Sequence, residues 1–147
     1  MKALFDTSVL VAGILTSHPR HTACFSQLKA AQSQDIQGFI STHTLAETYS
    51  VLTRIPVQSR VKPDQAQSLI SELAQYLTVI PLIDDDYQTT IARMASLNLP
   101  GGGIFDALIA QAALKANVDV LFTLNPKHFT RLGTEISNLV KVPSQTE

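Results

Sequence analysis

The sequence predicts an α/β fold: a three-layer α/β/α arrangement around a central, mainly parallel sheet of four to five short strands. Three observations predict it. Short apolar runs typical of buried strands alternate with longer amphipathic segments, and this alternation indicates βαβ units. The length of 147 residues suits one domain that buries roughly two-thirds of its unfolded surface. No repeat or long linker divides the sequence, so we expect residues 1–147 to form a single domain.

The strands are predicted from short apolar runs. Four such runs lie at residues 3–5, 36–40, 77–83 and 118–123. Pro81 cannot donate a ladder hydrogen bond, so the third strand is expected to lie at an edge of the sheet or to end early. Residues 139–142 are predicted to form a final short strand.

The helices are predicted from amphipathic segments. These cover residues 9–15, 21–33, 42–54, a segment opening at Pro63 that carries Leu69, Ile70 and Leu73, residues 84–97 and residues 104–116. Residues 55–62 are predicted to be a loop around Pro56, and Asn125-Pro126 a turn.

Two helices have a predicted core-facing side. In residues 42–54, the spacing of Leu45, Tyr49 and Leu52 predicts one apolar face. Residues 104–116 have the clearest stripe in the chain, formed by Phe105, Leu108, Ile109, Ala112, Ala113 and Ala116.

Composition excludes several classes of protein. The net charge is −1, which excludes a polycationic tail; nucleic-acid binding would need a local basic patch or metal ions. The single Cys24 excludes a disulfide scaffold and Cys-rich zinc sites, and it suits a reducing compartment. No run of 18 apolar residues is present, so we expect a cytoplasmic protein without a membrane span. A charged fraction of only 16% favours a surface partly covered by a partner or second copy.

Polar residues follow several of the predicted strands. Asp6 directly follows the first strand, Glu47 lies in the early turns of the helix after the second, Asp106 lies in the first turn of residues 104–116, and Thr123 and Asn125 follow the fourth strand. Ligand sites of parallel sheets lie outside the carboxyl ends of the strands. We therefore expect these residues to share one crevice.

Each acid also has a purely structural interpretation. Asp6 before Thr7 and Ser8 is a good helix N-cap. Thr44 and Glu47 match a capping box. Asp106 near a helix start is favoured by the helix dipole.

Taken together, the acids favour a metal site. Like carboxylates about 4 Å apart repel by roughly 4 kcal/mol at an effective dielectric near 20, and no Lys or Arg is adjacent in sequence to Asp6, Glu47 or Asp106. A divalent cation removes this repulsion, and oxygen-only ligands suit Mg²⁺ or Mn²⁺. Such a site favours phosphoryl chemistry by a metal-activated water, for which no side-chain nucleophile is needed.

The motif blocks resemble a known family. LFDTSVLVAGI, STHTLAETYSVLTR, GGGIFDALIAQAAL and FTLNPKHF occur in this order over nearly the whole chain, and together they are similar to the PIN-domain nucleases, most closely to the VapC-type ribonuclease toxins. The resemblance implies metal-dependent RNA cleavage, with metal binding by Asp6, Glu47 and Asp106. It also implies a homodimer and a protein antitoxin as partner.

The resemblance departs from the family at one position. Many relatives carry a fourth acid where this chain has Asn125. An amide oxygen can hold a water molecule but adds no charge. The resemblance therefore leaves open whether the site binds one metal ion or two. Thr7, Ser8 and Thr123 are candidates for hydrogen bonds that support Asp6 or a bound water; for Thr7 and Ser8 the alternative is plain helix-start chemistry.

Other polar groups receive different interpretations. The acid run at residues 84–86 is predicted to favour a helix start. Residues 101–103 are predicted to be a flexible glycine loop that lets Asp106 approach substrate, or a plain turn. Two basic groups could contact RNA phosphates or simply be solvated: Arg54, Arg60 and Lys62, and Lys127, His128 and Arg131. His18 and His21 are predicted to have no metal role.

The leading hypothesis is an Mg²⁺- or Mn²⁺-dependent endoribonuclease that acts on unpaired RNA and leaves a 5′-phosphate and a 3′-hydroxyl. The runner-up is a PIN-like module that binds RNA or a partner with little or no cleavage. A phosphatase of the haloacid dehalogenase kind, with Asp6 as nucleophile, is less favoured because Ser8 stands where its second acid would be.

Overall fold

The structure, a computed structural model, describes residues 1–56 and 60–144. They form five strands: β1 (Lys2–Phe5), β2 (Gln37–Ser41), β3 (Thr78–Ile80), β4 (Val120–Phe122) and β5 (Val140–Lys141). They also form eight helices: α1 (Thr7–Ile14), α2 (His21–Gln32), α3 (Thr42–Arg54), α4 (Pro63–Tyr76), α5 (Asp84–Ser96), α6 (Gly103–Lys115), α7 (Pro126–Thr130) and α8 (Thr134–Ser137).

The five strands make one parallel sheet in the order β3-β2-β1-β4-β5. β1 is central: Ala3 is in register with Gly38 of β2 on one side and with Val120 of β4 on the other. The strand order reverses at β1, and the crevice at such a reversal opens at the carboxyl ends of the strands. Asp6 is the residue after β1, so it stands at that opening.

Alternate residues of the central strand serve opposite faces of the sheet. Leu4 packs in a cluster with Ile109 of α6 and Phe129 of α7. Ala3 and Phe5 pack in the other cluster, which contains residues of α1, α2 and α4. Helices therefore cover both faces, and the predicted three-layer α/β/α fold with a parallel sheet is confirmed.

At the starts of several helices, side chains accept hydrogen bonds from backbone N–H groups that have no partner within the helix. The Ser41 hydroxyl accepts a hydrogen bond from the Thr44 N–H at the start of α3. The Asp86 carboxylate accepts one from the Ile83 N–H at the start of α5. In α4, Pro63 occupies the first turn and the Gln65 side chain accepts from the Lys62 N–H.

Most predicted elements agree with the structure to within a few residues, and α3 agrees at both ends. The strand predicted at residues 77–83 is only three residues long, ends before Pro81, and lies at the sheet edge as expected. Of the loop predicted at residues 55–62, residues 57–59 lie outside the described part. In that part, no helix is long and apolar enough to cross a membrane.

Three predictions about local structure are wrong. Asn125-Pro126 is not an isolated turn but the start of α7, because Pro126 suits a first helical turn. Tyr49 is 42% exposed, since the buried residues of α3 are Thr44, Thr48 and Leu52. Phe105 is 50% exposed and stacks on the imidazole of His43 instead of packing in the core.

Candidate active site

An open cleft of about 560 Å³ lies at the carboxyl ends of β1 and β4. Its walls include Asp6, Glu47, Asp106 and Asn125, four of the five residues that the sequence placed in one crevice. The fifth, Thr123, is fully buried and contacts Asp6 without lining the cleft. The four lining residues come from four separate parts of the chain: the β1–α1 junction, α3, the start of α6 and the segment after β4. The predicted convergence of these residues is therefore present in the fold.

Asp6 is the deepest of the three acids. Its residue is only 3% exposed, and its backbone N–H donates to the carbonyl of Phe122 in β4. It occupies the N-cap position of α1, but its carboxylate accepts hydrogen bonds from Ser8 and Thr123. The interpretation of this side chain as a helix cap is therefore wrong.

Two hydroxyl groups hold the Asp6 carboxylate by hydrogen bonds to one of its oxygens. Ser8 Oγ donates to Asp6 Oδ2 at 2.8 Å and accepts from the Leu124 N–H at 3.1 Å. Thr123 Oγ1 donates to the same oxygen at 2.7 Å and accepts from the Asn125 N–H at 2.9 Å. Both hydrogen bonds end on Oδ2, so neither hydroxyl uses Oδ1. The same two hydroxyls tie the segment after β4 to the start of α1.

Glu47 reaches the cleft from the second turn of α3. The N-cap of α3 is Ser41, whose hydroxyl accepts from the Thr44 N–H, so the predicted capping box of Thr44 and Glu47 is wrong. His43, one helical turn earlier, places Nε2 3.5 Å from Glu47 Oε2. This imidazole lowers the pKa of Glu47 against the opposing effect of burial, and Arg54 lowers it further.

Asp106 lies in the first turn of α6, as predicted. Its Oδ2 is 3.2 Å from His128 Nδ1 in α7. Burial raises the pKa of Asp106, His128 opposes this, and the charge of Glu47 raises it again. Arg131 also acts on Asp106, and its guanidinium lies so close to Gly103 that a Cβ there would be 2.5 Å from Nη2.

The three carboxylates act on one another electrostatically. Burial raises the pKa of Asp6 to about 6, the hydrogen bonds from Thr123 and Ser8 oppose that rise, and the charges of Asp106 and Glu47 add to it. The raised pKa means that the fold holds this carboxylate at an energetic cost near neutral pH. A bound cation would remove that cost.

Sequence reasoning missed part of the cleft wall. His18 and Arg20 line the cleft, although they lie in the connection between α1 and α2. His43 was missed as a partner of Glu47, although the spacing of four residues on a helix was visible in the sequence. Only the tertiary fold brings His18 and Arg20 to the cleft, so no local pattern could have indicated them.

Thr7 differs from the other two candidate supporting groups. Its hydroxyl is buried, lies beside Glu47 and helps to lower that pKa, but among the described residues it has no hydrogen bond of regular geometry. It therefore supports Glu47 rather than Asp6. Its buried oxygen, with no partner of regular geometry among the described residues, lies at the wall of the cleft.

The oxygen groups of the cleft fit a hard divalent cation. Three carboxylates, the Asn125 amide and nearby hydroxyls form an oxygen-rich set of the kind that Mg²⁺ and Mn²⁺ prefer. Within residues 1–56 and 60–144, no group of three His, Cys, Asp or Glu side chains is already arranged to hold a metal ion. One oxygen of Glu47 and one of Asp106 each lie beside a histidine. Gathering the carboxylates around one cation therefore requires their side chains to move.

The acid run at residues 84–86 lies outside the cleft. Asp86 Oδ2 is 2.8 Å from Lys115 Nζ and also accepts from the Ile83 N–H. The Lys115 ammonium holds the pKa of Asp86 below its ordinary value. This agrees with the structural interpretation of these acids.

The chain matches known proteins along most of its length. The family model described as "PIN domain" matches residues 3–134. Ribonuclease VapC40 of Mycobacterium tuberculosis is 31% identical over 116 residues, which are 79% of this chain and 81% of that protein. Ribonuclease VapC27 of the same species is 30% identical over 115 residues, 78% of this chain and 79% of that protein.

The fold also matches solved structures. The structure of VapBC2 from Rickettsia felis bound to a DNA fragment from their promoter superposes with a TM-score of 0.67 at 23% identity. The match covers 98% of this chain and 100% of that one. At this identity the likeness concerns the fold, and it agrees with the five-stranded parallel sheet described above.

Proposed function

The chain belongs to the PIN-domain family, and from this premise we propose that it is a VapC-type toxin, an endoribonuclease that hydrolyses RNA with the help of Mg²⁺ or Mn²⁺. Its similarity to the VapC40 and VapC27 ribonucleases supports RNA cleavage. The observation that carries the proposal is the meeting of Asp6, Glu47 and Asp106 at one cleft, where their charges act on one another. The same family membership disfavours the phosphatase alternative.

The cation would be held by Asp6, Glu47 and Asp106. When bound, it would supply charge neutralisation at the phosphate and a water molecule with a lowered pKa. Ser8 and Thr123 hold the Asp6 carboxylate in one orientation, so Asp6 needs little reorganisation to act as a ligand. Asn125 lies at the cleft but carries no charge. The proposal therefore allows either one or two bound metal ions.

The basic residues beside the acids are suited to RNA phosphates. The charge of Arg54 lowers the pKa of Glu47 and that of Arg131 lowers the pKa of Asp106, so positive charge lies near two of the three acids. Arg20 adds a third guanidinium at the cleft wall. The net charge of the chain is −1, so the chain as a whole does not attract RNA. These arginines supply the local positive charge that attracts a phosphate backbone.

The proposed partners follow from the family. A homodimer and a protein antitoxin are proposed for this chain; the fold that it shares with the VapBC2 structure supports the antitoxin. A ribonuclease toxin acts where cellular RNA is, so we propose a cytoplasmic site of action.

The test is cleavage-site mapping with purified, partner-free protein and single-stranded RNA. We expect cleavage in Mg²⁺ or Mn²⁺ that stops in excess chelator and returns when metal is restored. Products should carry a 5′-phosphate and a 3′-hydroxyl. Cleavage that persists in chelator would contradict the metal dependence alone. Failure to cleave any RNA while metal binds, in a calorimetric titration, would favour the binding module instead.

A further inference from the structure

Phe105 is a large apolar side chain left exposed beside the acids. It is 50% exposed although it precedes Asp106 directly and lies in the first turn of α6. Single exposed apolar residues are common and need no explanation by themselves. The Phe105 ring, however, is held in place by a neighbouring side chain.

The Phe105 ring is stacked on the imidazole of His43. The ring centroids are 5.4 Å apart and the planes are within 8° of parallel. His43 covers one face of the phenyl ring, and the exposure of Phe105 shows that much of the remainder is open to solvent. The stack fixes the orientation of the open face, so a ligand that binds there does not have to order it.

The contacts of His43 place the Phe105 ring close to the acids of the cleft. On its covered side, only the His43 imidazole separates it from the Glu47 carboxylate, because His43 Nε2 is 3.5 Å from Glu47 Oε2. Along the chain, the next residue is Asp106. The Phe105–His43 stack therefore lies at the rim of the cleft, next to two of the three proposed metal ligands, and the open face of Phe105 is on the side of its ring away from His43 and Glu47.

We propose that Phe105, held by His43, is a stacking platform for an unpaired base of the RNA next to the scissile phosphate. This rests on the proposed function. Flat, exposed aromatic faces bind splayed bases of single-stranded RNA, and the bases of a duplex are not free to stack on them. The platform would make the enzyme prefer unpaired RNA and place one flanking nucleotide, while the acids act on its phosphate.

A second His–Phe pair in the same chain provides a matched control. Phe25 of α2 is 45% exposed and stacks on His21 with centroids 5.3 Å apart and planes 30° apart. It lines a different cavity, formed with Gly13, Leu28 and Leu73. Phe25 thus matches Phe105 in residue type, exposure and partner, but not in proximity to the acids.

The first experiment measures kcat/KM on a mapped single-stranded RNA and on the same RNA with one abasic nucleotide at each flanking position. We expect Phe105→Leu to lower kcat/KM roughly 5- to 100-fold, the range of one lost base stack, and Phe25→Leu to leave it unchanged. One abasic position should lower cleavage by wild type but add no further loss in Phe105→Leu. Additive losses, or equal losses in both variants, would overturn the proposal.

The second experiment does not depend on cleavage. The chain contains no tryptophan, so Phe105→Trp introduces a single indole at the rim, and its fluorescence can be excited apart from that of the three tyrosines. In an Asp6→Asn background with Mg²⁺, saturable quenching by single-stranded RNA is expected at position 105 and not in Phe25→Trp. Quenching without wild-type cleavage would contradict the proposed activity but keep the platform; cleavage without quenching would contradict the platform alone.

A second copy of the chain is the other candidate occupant of this face. Size-exclusion chromatography with light scattering on wild type and Phe105→Leu decides between them. An unchanged mass is expected. A shift of Phe105→Leu to a smaller species, with the loss of activity recovered at high protein concentration, would assign the ring to a protein interface and overturn the proposal.

Discussion

Asp6 and Asp86 are two buried aspartates near helix starts, and the fold treats them in opposite ways. Asp86 lies shallowly under the surface and meets the ammonium of Lys115, which is itself one-third exposed. Asp6 lies deeper, where its neighbours are two hydroxyls and the charges of Glu47 and Asp106. The pKa of Asp86 is lowered, whereas that of Asp6 is raised to about 6.

The difference separates structural acids from functional ones. A carboxylate that is paired with a basic side chain of the same protein has its charge balanced and stabilises the fold. An acid that is buried among other acids destabilises the fold until something else brings positive charge. A perturbed pKa in a cleft is therefore informative about function only when its cause is examined, because both aspartates are perturbed.

The largest expected effect is on the chemistry at Asp6. Asp6→Asn should lower RNA cleavage by more than the ~10–100-fold that loss of a supporting group typically costs, because a proposed metal ligand is removed. Asp86→Asn is the matched control and should keep its activity. Cleavage is measured under single-turnover conditions. Equal activity of Asp6→Asn and wild type would show that Asp6, like Asp86, is not needed for cleavage.

The next effect concerns the hydroxyls that hold Asp6. Thr123→Val removes the donor to Asp6 and the acceptor for the Asn125 N–H, and we expect a ~10–100-fold loss of activity. Thr90→Val is the control, since Thr90 is equally buried but donates to the Asp86 carbonyl. Both variants should lose stability in urea melts; only the first should lose activity. A similar loss of activity in both would assign it to general destabilisation.

Stability should change in opposite directions in the two aspartate variants. The rise in the pKa of Asp6 from 3.8 to about 6 corresponds to about 3 kcal/mol. Asp6→Asn is therefore expected to raise the free energy of unfolding at pH 7.5 by about 1–3 kcal/mol. Asp86→Asn should lower it by roughly 1–2 kcal/mol, because the pair with Lys115 is partly screened by solvent.

The pH dependence of these differences should also have opposite signs. Asp6 binds a proton more tightly in the folded state, so wild type gains stability as pH falls from about 6 toward 4, and its deficit against Asp6→Asn disappears. Asp86 has a lowered pKa, so its contribution is present near neutral pH and is lost as pH falls below the ordinary range for Asp. Urea melts from pH 4 to 7.5 measure the first change. Parallel curves for wild type and Asp6→Asn would contradict the raised pKa.

The smallest expected effect is thermal stabilisation by metal. At a Mg²⁺ or Mn²⁺ concentration of ten times Kd, binding adds about 1.4 kcal/mol, or roughly 3–5 °C in Tm for a domain of this size. Wild type and Asp86→Asn should show the same shift, and Asp6→Asn should show little. A shift retained in Asp6→Asn would place the cation elsewhere.

The sequence predicted the fold and the members of the site better than the contacts within it. Periodicity and Pro81 were enough for the sheet and its edge strand, because burial on both faces leaves a strong local pattern. The convergence of Asp6, Glu47 and Asp106 followed from the rule for the carboxyl ends of parallel strands. No such rule exists for His18 or Arg20, which reach the cleft through the path of a loop.

Exposure at the rim was also beyond the sequence. The spacing of Phe105 assigns it to the apolar stripe of α6, but its ring stacks on His43 of another helix and stays half exposed, a tertiary contact that spacing does not indicate. The partners of Glu47 were misassigned for a related reason. Ser41 and Thr44, three positions apart, are both residue types that favour a helix N-cap, so the sequence alone does not show that the cap is Ser41.

The tie between Asp6 and Thr123 spans 117 positions of the chain. Asp6 is synthesised long before the hydroxyl that orients it, and that hydroxyl directly follows the strand that completes the central pairing. A nascent polypeptide therefore carries every proposed metal ligand before it carries a finished cleft. The oriented Asp6 carboxylate is therefore a product of the completed sheet and not of the first strand alone.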